Sequence, residues 1–147
     1  MKIRHFEIKD IKILQKFRYP NKNDLEILSL INEWNKGGCS GRYFEMFTAE
    51  QAGVQVAEIS IQEHAKDSTS IGIHVFEPYR KKGYSIPCIK FALKRSKEMG
   101  YSFAIFLVDK NNLVGTNLAN KFGFVAISEF ITPKGNTIIT FKKPLSV

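Results

Sequence analysis

The sequence is poor in cysteine. Cys39 and Cys88 are the only two in 147 residues, too few for the disulfide framework of a small secreted domain and suited to a reducing compartment. Long apolar runs are lacking as well: the longest, Phe103 to Val108, falls far short of the ~20 residues a membrane span needs. The chain begins Met-Lys-Ile-Arg-His and passes directly into mixed charged and apolar sequence, with no apolar h-region of a secretory signal. The expectation is a cytoplasmic protein with no membrane partner. His5 and His64 show no metal-ligand spacing and the cysteines form no zinc pair, so no metal is expected. Neither G-x-x-x-x-G-K-[ST] nor a strand followed by G-x-G-x-x-G occurs, which removes two common phosphate motifs. Acidic residues are the scarcer charge, 14 Asp and Glu against 22 Lys and Arg, for a net charge of +8. Such a surface attracts anions, whether nucleic acid, lipid or a phosphorylated small molecule. Charge alone speaks for a nucleic-acid-binding domain; no helix-turn-helix, RNP or zinc-finger pattern accompanies it.

What is present describes a folded chain. An apolar fraction of 44% with 12% aromatics is too rich for disorder, and the length allows one core, so residues 1–147 are read as a single domain. Ile3 to Phe6 reads as a first strand. Asp10 is placed to cap a helix with Ile11, Leu14 and Phe17 at helical spacing, which Pro20 stops. Asp24 is placed to cap a second, striped by Ile27, Leu28, Ile31 and Trp34, and Gly37-Gly38 ends it before a flexible loop, Cys39-Ser40-Gly41. Three strands follow, Arg42 to Ala49, Val54 to Ile61 and Ser70 to Phe76, with a change of parity at Ala57-Glu58 that suggests a bulge. Helical spacing returns over Ser85 to Met99, with Ile86, Ile89, Leu93 and Ser96 or Met99 on one face, Pro87 in the first turn and Gly100 after the last. Tyr101 to Val108 has the run of a strand covered on both faces. A helix over Val114 to Phe122 and two strands, Phe124 to Ile131 and Thr137 to Lys142, complete a mixed α+β pattern.

The informative stretch is Ile73 to Ser85, I-H-V-F-E-P-Y-R-K-K-G-Y-S. A strand gives way to a short basic turn and then to a helix start, where free backbone N–H groups and the helix dipole favour phosphate oxygens. Gly83 permits positive φ or close approach of a ligand. Arg80, Lys81 and Lys82 add charge, and Ser85 offers either a cap or a hydroxyl for phosphate. An ordinary basic strand–helix turn is the plainer alternative.

V-F-E-P-Y-R-K-K-G-Y-S resembles the acyl-CoA signature of the GNAT-superfamily N-acetyltransferases, [RQ]-x-x-G-x-[GA], with Arg80 and Gly83 matching and Ser85 departing at the last position. N-N-L-V-G-T-N-L-A-N-K-F-G-F resembles the second signature of that superfamily, N-x-x-A-x-x-L-Y-x-K-x-G-F. Asn112, Leu118, Lys121, Gly123 and Phe124 match, Gly115 replaces the usual alanine, and Ala119 replaces the tyrosine that often protonates the departing thiolate. The resemblance implies a central, mostly antiparallel twisted sheet with helices on its flanks and a splay between its fourth and fifth strands. It implies acetyl-CoA as co-substrate and transfer of acetyl to a primary amine of a small molecule or peptide by direct attack. Backbone groups at Val75 and Phe76 would pair with the pantetheine arm, and amides of Lys81, Lys82, Gly83, Tyr84 and Ser85 would cradle the pyrophosphate. Asn112 would reach the arm or fix its own loop. The basic residues from Arg80 to Lys82, with Lys90, Lys94, Arg95 and Lys97 on the following helix, then suit a nucleotide cofactor rather than DNA. Candidate bases are His74 and Glu77, then Glu58 and Glu63. Ala119 keeps open a non-catalytic acyl-CoA-binding module. Trp34, Tyr43 and Phe44 belong either to an acceptor pocket or to the core, Cys39 reads as a loop thiol and Cys88 as a small core residue. Exposed strand edges leave room for a homodimer.

Overall fold

Apolar alternation along two long central strands fixes the sheet, and every other element is placed by which face of it is covered. The computed structural model of the chain describes residues 1–145, with the backbone but not the side chain of Cys39. The strands are β1 (Lys2–His5), β2 (Gly38–Cys39), β3 (Arg42–Gln51), β4 (Val54–Ala65), β5 (Ser68–Val75), β6 (Phe103–Asp109), β7 (Val125–Ile131) and β8 (Thr137–Pro144). The helices are α1 (Ile11–Phe17), α2 (Asp24–Trp34), α3 (Ser85–Glu98) and α4 (Leu113–Lys121). The sheet order is β1-β3-β4-β5-β6-β8-β7, with β2 paired only to β3. Of the pairings, β5–β6 alone is parallel, and α3 is the crossover that a parallel pair requires.

Parity along β3 sorts the core. Phe47 and Ala49 face one way, into the main cluster with Ile59, Ile61, Cys88, Ile89, Ala92, Leu118 and Ala119. Met46 faces the other way, to Phe6, Leu14, Ile27, Ile31 and Trp34. Helices α3 and α4 therefore cover one face, α1 and α2 the other. Burying each large apolar side chain contributes roughly 1.5–3 kcal/mol.

Several local expectations are corrected. Asn23, not Asp24, caps α2: its side chain accepts the Glu26 N–H at 2.9 Å while Glu26 accepts the Asn23 N–H at 3.0 Å. Asp10 makes no cap to α1; Arg4 claims its carboxylate at 2.9 and 3.0 Å, and Asp10 also accepts from the Glu7 N–H. The loop after α2 is a tight hairpin, with Cys39 paired to Arg42 and with Ser40 and Gly41 both at positive φ, as a two-residue turn between twisted strands demands. The β4 bulge falls one residue early, since Ala49 pairs with Ala57 and Glu50 with Gln55, leaving Val56 unopposed. On α3 the deepest residues are Cys88, Ile89, Ala92 and Ser96 rather than the larger Ile86 and Leu93, and Met99 is exposed.

The strand count rises by one because of β2, so the expected splay between the fourth and fifth strands falls at β5–β6. These pair from Ser68↔Phe103 only to Ile71↔Phe106. Beyond that point β5 stays with β4 as far as Val75↔Ala57, and β6 stays with β8 as far as Asp109↔Ile138. Each strand is held by its outer neighbour while their C-terminal halves part. Across the ladder, a Cβ on Gly72 would meet the Ser60 hydroxyl, which would have to rotate away.

Candidate functional site

The chain leaves β5 through a 3-10 turn, Glu77–Tyr79, and becomes helical again at Ser85. Between them Lys81 has φ +65° and Gly83 φ +79°. Left-handed residues set among ordinary ones turn successive N–H groups toward a common point. Arg80 N–H donates to the Glu77 carbonyl at 3.3 Å and Ile86 N–H to the Gly83 carbonyl at 3.2 Å, but none of the N–H groups from Lys81 to Ser85 donates to any protein acceptor among the described residues. These amides stand at the positive end of α3, an arrangement that binds phosphate oxygens. Ser85 is the first helical residue, not the cap; Tyr84 holds the cap position and makes no side-chain cap bond.

From this cradle a cleft of about 620 Å³ runs into the gap between β5 and β6. Its walls include Ile73, His74 and Val75 of β5, Phe106 of β6, and Asn112, Val114, Gly115 and Leu118 from the start of α4. Of the residues expected to hold a cofactor, Val75, Arg80, Lys81, Gly83, Tyr84, Ser85 and Asn112 meet here. Lys82 is exposed beside the cleft without forming its wall. Phe76 is not on the cleft wall. Its N–H donates to the Val56 carbonyl and its carbonyl accepts from Tyr79, both at 2.9 Å, and its ring, fully buried, stacks on Phe17 at 4.8 Å. Arg80 bends back over the turn, Nε donating to the Val75 carbonyl at 3.0 Å. Asn112 fixes its own loop, Oδ1 accepting the Gly115 N–H at 2.9 Å as the cap of α4.

The titratable groups divide sharply. His74 is half-buried on the cleft wall, and burial, then the charges of Arg18 and Arg80, bring its pKa down to about 4. Opposite it on β4 stands Glu58, whose pKa is raised, burial outweighing the charge and hydrogen bond of Arg18. Arg18 Nε donates to Glu58 Oε1 at 2.7 Å, while Glu58 Oε2 is buried with no partner. Glu77 is exposed on the 3-10 turn and is not part of the cleft wall, so geometry does not support it as a base. Glu63 lies toward the far end of β4, accepting from the Tyr101 hydroxyl at 2.9 Å. Ala119 is fully buried in the main core and presents nothing to the cleft.

The other candidates resolve into structure. Trp34 and Phe44 pack in the second cluster. Tyr43 packs on the main core, its hydroxyl donating to Glu45 at 2.6 Å. Cys88 is buried, which pushes its thiol up to about 12, and the Cys39 thiol lies outside the described atoms. His5 binds Glu45 at 2.7 Å and stacks on Phe47 at 4.6 Å. Among the described residues no group of three or more His, Cys, Asp or Glu is gathered for a metal, and no helix is long and apolar enough to cross a membrane. Sequence reasoning missed Arg18, Tyr79, Phe106 and Val114. Tyr79 lay inside the first motif, and Val114 and Leu118 share an i, i+4 face of α4 that points to the same wall.

No protein-family model matches the chain, and no curated protein matches it in sequence. Solved structures do. A ribosomal-protein-alanine N-acetyltransferase from Brucella melitensis is 16% identical with a TM-score of 0.81, covering 98% of this chain and 99% of that one. A chimeric spermidine N-acetyltransferase, part of it from Vibrio cholerae, is 16% identical with a TM-score of 0.82, covering 99% and 96%. A protein from Salmonella typhimurium classed as an acetyltransferase, solved with its cofactor acetyl-CoA, is 11% identical with a TM-score of 0.78, covering 99% and 94%. The chain has the fold of the GNAT-superfamily N-acetyltransferases.

Proposed function

We propose that the chain is an acetyl-CoA-dependent N-acetyltransferase that moves an acetyl group onto a primary amine of a small molecule or peptide by direct attack in a ternary complex. The observation that carries this reading is the run of unpaired amides from Lys81 to Ser85 opening directly into the gap between β5 and β6. An anion cradle at one end and a slot beside free strand backbone at the other fit a pyrophosphate with a long amide-bearing arm.

Acetyl-CoA supplies an activated thioester. The amides of Lys81 to Ser85 bind the phosphates, with Lys81 and Lys82 adding charge. Beyond Ile71 the β6-facing edge of β5 is unpaired and offers hydrogen bonds to the arm, as an added strand would use. In the transfer the N–C bond forms as the C–S bond breaks, and the proton lost by nitrogen balances the one gained by sulfur. His74, neutral at pH 7, accepts a hydrogen bond from the incoming amine or from a water behind it. A pKa of about 4 makes it a poor final store for the proton. Position 119 supplies no acid, but Tyr79, Tyr84 and Ser85, which carry hydroxyls, line the cleft, and a thiol with pKa near 8.5 leaves unaided. A cytoplasmic location, and a homodimer through the exposed edge strand β7, belong to the same reading.

Calorimetry with acetyl-CoA and thiol release across a panel of primary amines test it together. Saturable binding with amine-dependent release is the expected result. Binding with no release on any amine would favour the second reading, an acyl-CoA-binding module, for which the buried Ala119 speaks. Failure to bind acetyl-CoA would remove both.

A further inference from the structure

Arg18 is the C-cap residue of α1; it does not line the cleft itself, but it binds Glu58, and its charge is felt by His74, which does. Phe17 beside it stacks on Phe76 and meets Tyr79 edge-on at 6.4 Å, so the end of α1 is pinned to β5 and to the turn after it. Of the Arg18 nitrogens only Nε makes a hydrogen bond, to Glu58 Oε1, while the guanidinium lies over the Tyr19 ring, 5.9 Å from its centroid. Among the described residues the terminal nitrogens make no hydrogen bond, and the side chain is 33% exposed. That leaves the Nη1–Nη2 edge of the guanidinium, a planar two-donor fork whose spacing matches a carboxylate. Glu58 faces His74 across the β4–β5 ladder, and His74 lines the cleft. The cations at this point are Arg18, Arg80 and Lys81. The carboxylates are Glu58, already paired to Arg18, and the exposed Glu77. The charges that act on His74 are both positive, those of Arg18 and Arg80, and an acceptor with additional ammonium groups meets repulsion here.

We propose that the acceptor is a small primary amine carrying its own carboxylate, of the amino-acid kind, and that the free edge of Arg18 binds that carboxylate. The amine is then turned toward Glu58, His74 and the cleft. Arg18 thus selects the substrate, and the selection works against polyamines. This rests on the N-acetyltransferase reading and adds the substrate class to it.

The test uses matched acceptors: L-alanine against L-alaninamide, L-phenylalanine against its amide, and spermidine, with thiol release at saturating acetyl-CoA. The free acids should exceed their amides at least tenfold in kcat/KM, with spermidine the poorest. The amides carry the less basic amines, so this order cannot arise from the greater fraction of free amine. Arg18→Gln should abolish the preference mainly through KM, and Arg18→Lys, which keeps the charge but not the fork, should restore only part of it. Because Arg18→Gln also orphans a buried carboxylate, the R18Q/E58Q double variant removes both charges at once. Loss of the preference in that folded variant supports the proposal, and its retention overturns it. Equal use of acid and amide, or spermidine as the best substrate, overturns the proposal while leaving N-acetyl transfer intact. If no amine releases thiol, calorimetry of L-phenylalanine with CoA present decides. Binding lost in Arg18→Gln upholds the carboxylate site without transfer, and no binding to the wild-type chain overturns it.

Discussion

Gly83 and Gly115 both belong to recognisable motifs, yet they are glycines for opposite reasons. Gly83 has φ +79° and open space where a Cβ would stand, so its requirement is conformational. An L side chain in that region costs roughly 1–2 kcal/mol, and the chain escapes the strain by rotating the peptides that aim the cradle. Gly83→Val should therefore weaken acetyl-CoA binding at least tenfold by calorimetry while lowering stability by no more than about 2 kcal/mol. Gly115 lies inside α4, where alanine normally stabilises by about 1 kcal/mol. Here a Cβ would come within 2.8 Å of Val108 Cγ1 and 2.9 Å of Asn112 Nδ2. Val108 is β-branched and does not swing aside, and Asn112 is held by its own capping bond. The sign reverses: Gly115→Ala should destabilise by about 1–3 kcal/mol in chemical denaturation. A stabilised variant would show that α4 lifts off β6 freely.

At the scale of elements, the strongest ties join residues far apart in sequence. Arg95 of α3 donates to Glu45 of β3 at 2.7 Å, and the same buried carboxylate accepts from the Tyr43 hydroxyl and bonds to His5 of β1. Burial pulls the Glu45 pKa upward, but hydrogen bonds from Arg95, Tyr43 and His5 prevail and leave it below the ordinary value. A carboxylate with a depressed folded pKa lends stability above its unfolded pKa, near 4.3, and loses it as pH falls through the folded value. Glu45→Gln should thus cost about 3 kcal/mol at pH 7, toward the low end for a broken buried pair because Arg95 is partly exposed. The gap to wild type should close below pH ~4; a gap constant from pH 7 to 3 would contradict it. In the sequence Arg95 looked like one more cation on a basic helix face, and nothing at a separation of fifty residues marks the pair. The same blindness hid the pairing of Arg18 with Glu58, although Glu58 itself stood among the candidate bases. What was legible had local causes: the proline and glycine that bound α3, the apolar run of β6, and the basic glycine turn between strand and helix. Caps were misassigned where two candidates stood side by side, as at Asn23 and Asp24, or where a distant guanidinium claimed one, as Arg4 claims Asp10. The sequence pattern carried the third strand of the meander to Phe76, whereas β5 ends at Val75, because an apolar residue continues the alternation whether or not the ladder does.

Across the whole molecule, the net charge of +8 separates into paired and unpaired cations. Arg4, Arg18, Arg42 and Arg95 are each paired to a carboxylate, as are Lys9, Lys12, Lys36 and Lys110, whereas Arg80, Lys81, Lys82, Lys90, Lys94 and Lys97 have no ion-pair partner among the described residues. The uncompensated field at the cradle comes from Arg80, Lys81 and Lys82, and along α3 from its lysines. Not all of that lysine serves the cradle. At 1.5 Å rise per residue, Lys90, Lys94 and Lys97 stand roughly 8, 14 and 18 Å along α3 from Ser85. The Debye length is about 10 Å at 0.1 M salt, so Lys90 is the last of them to be felt strongly by an anion at the helix start. Acetyl-CoA binding should accordingly weaken several-fold as salt rises from about 0.05 to 0.5 M, where screening closes in to a few ångströms. Replacing Lys81 and Lys82 together by Gln should flatten most of that dependence, and Lys94 with Lys97 by Gln should leave it unchanged, as read by calorimetric titrations at matched pH. An equal effect from the two pairs would make the field a property of the entire basic face. A salt-independent affinity would assign phosphate binding to the backbone amides alone.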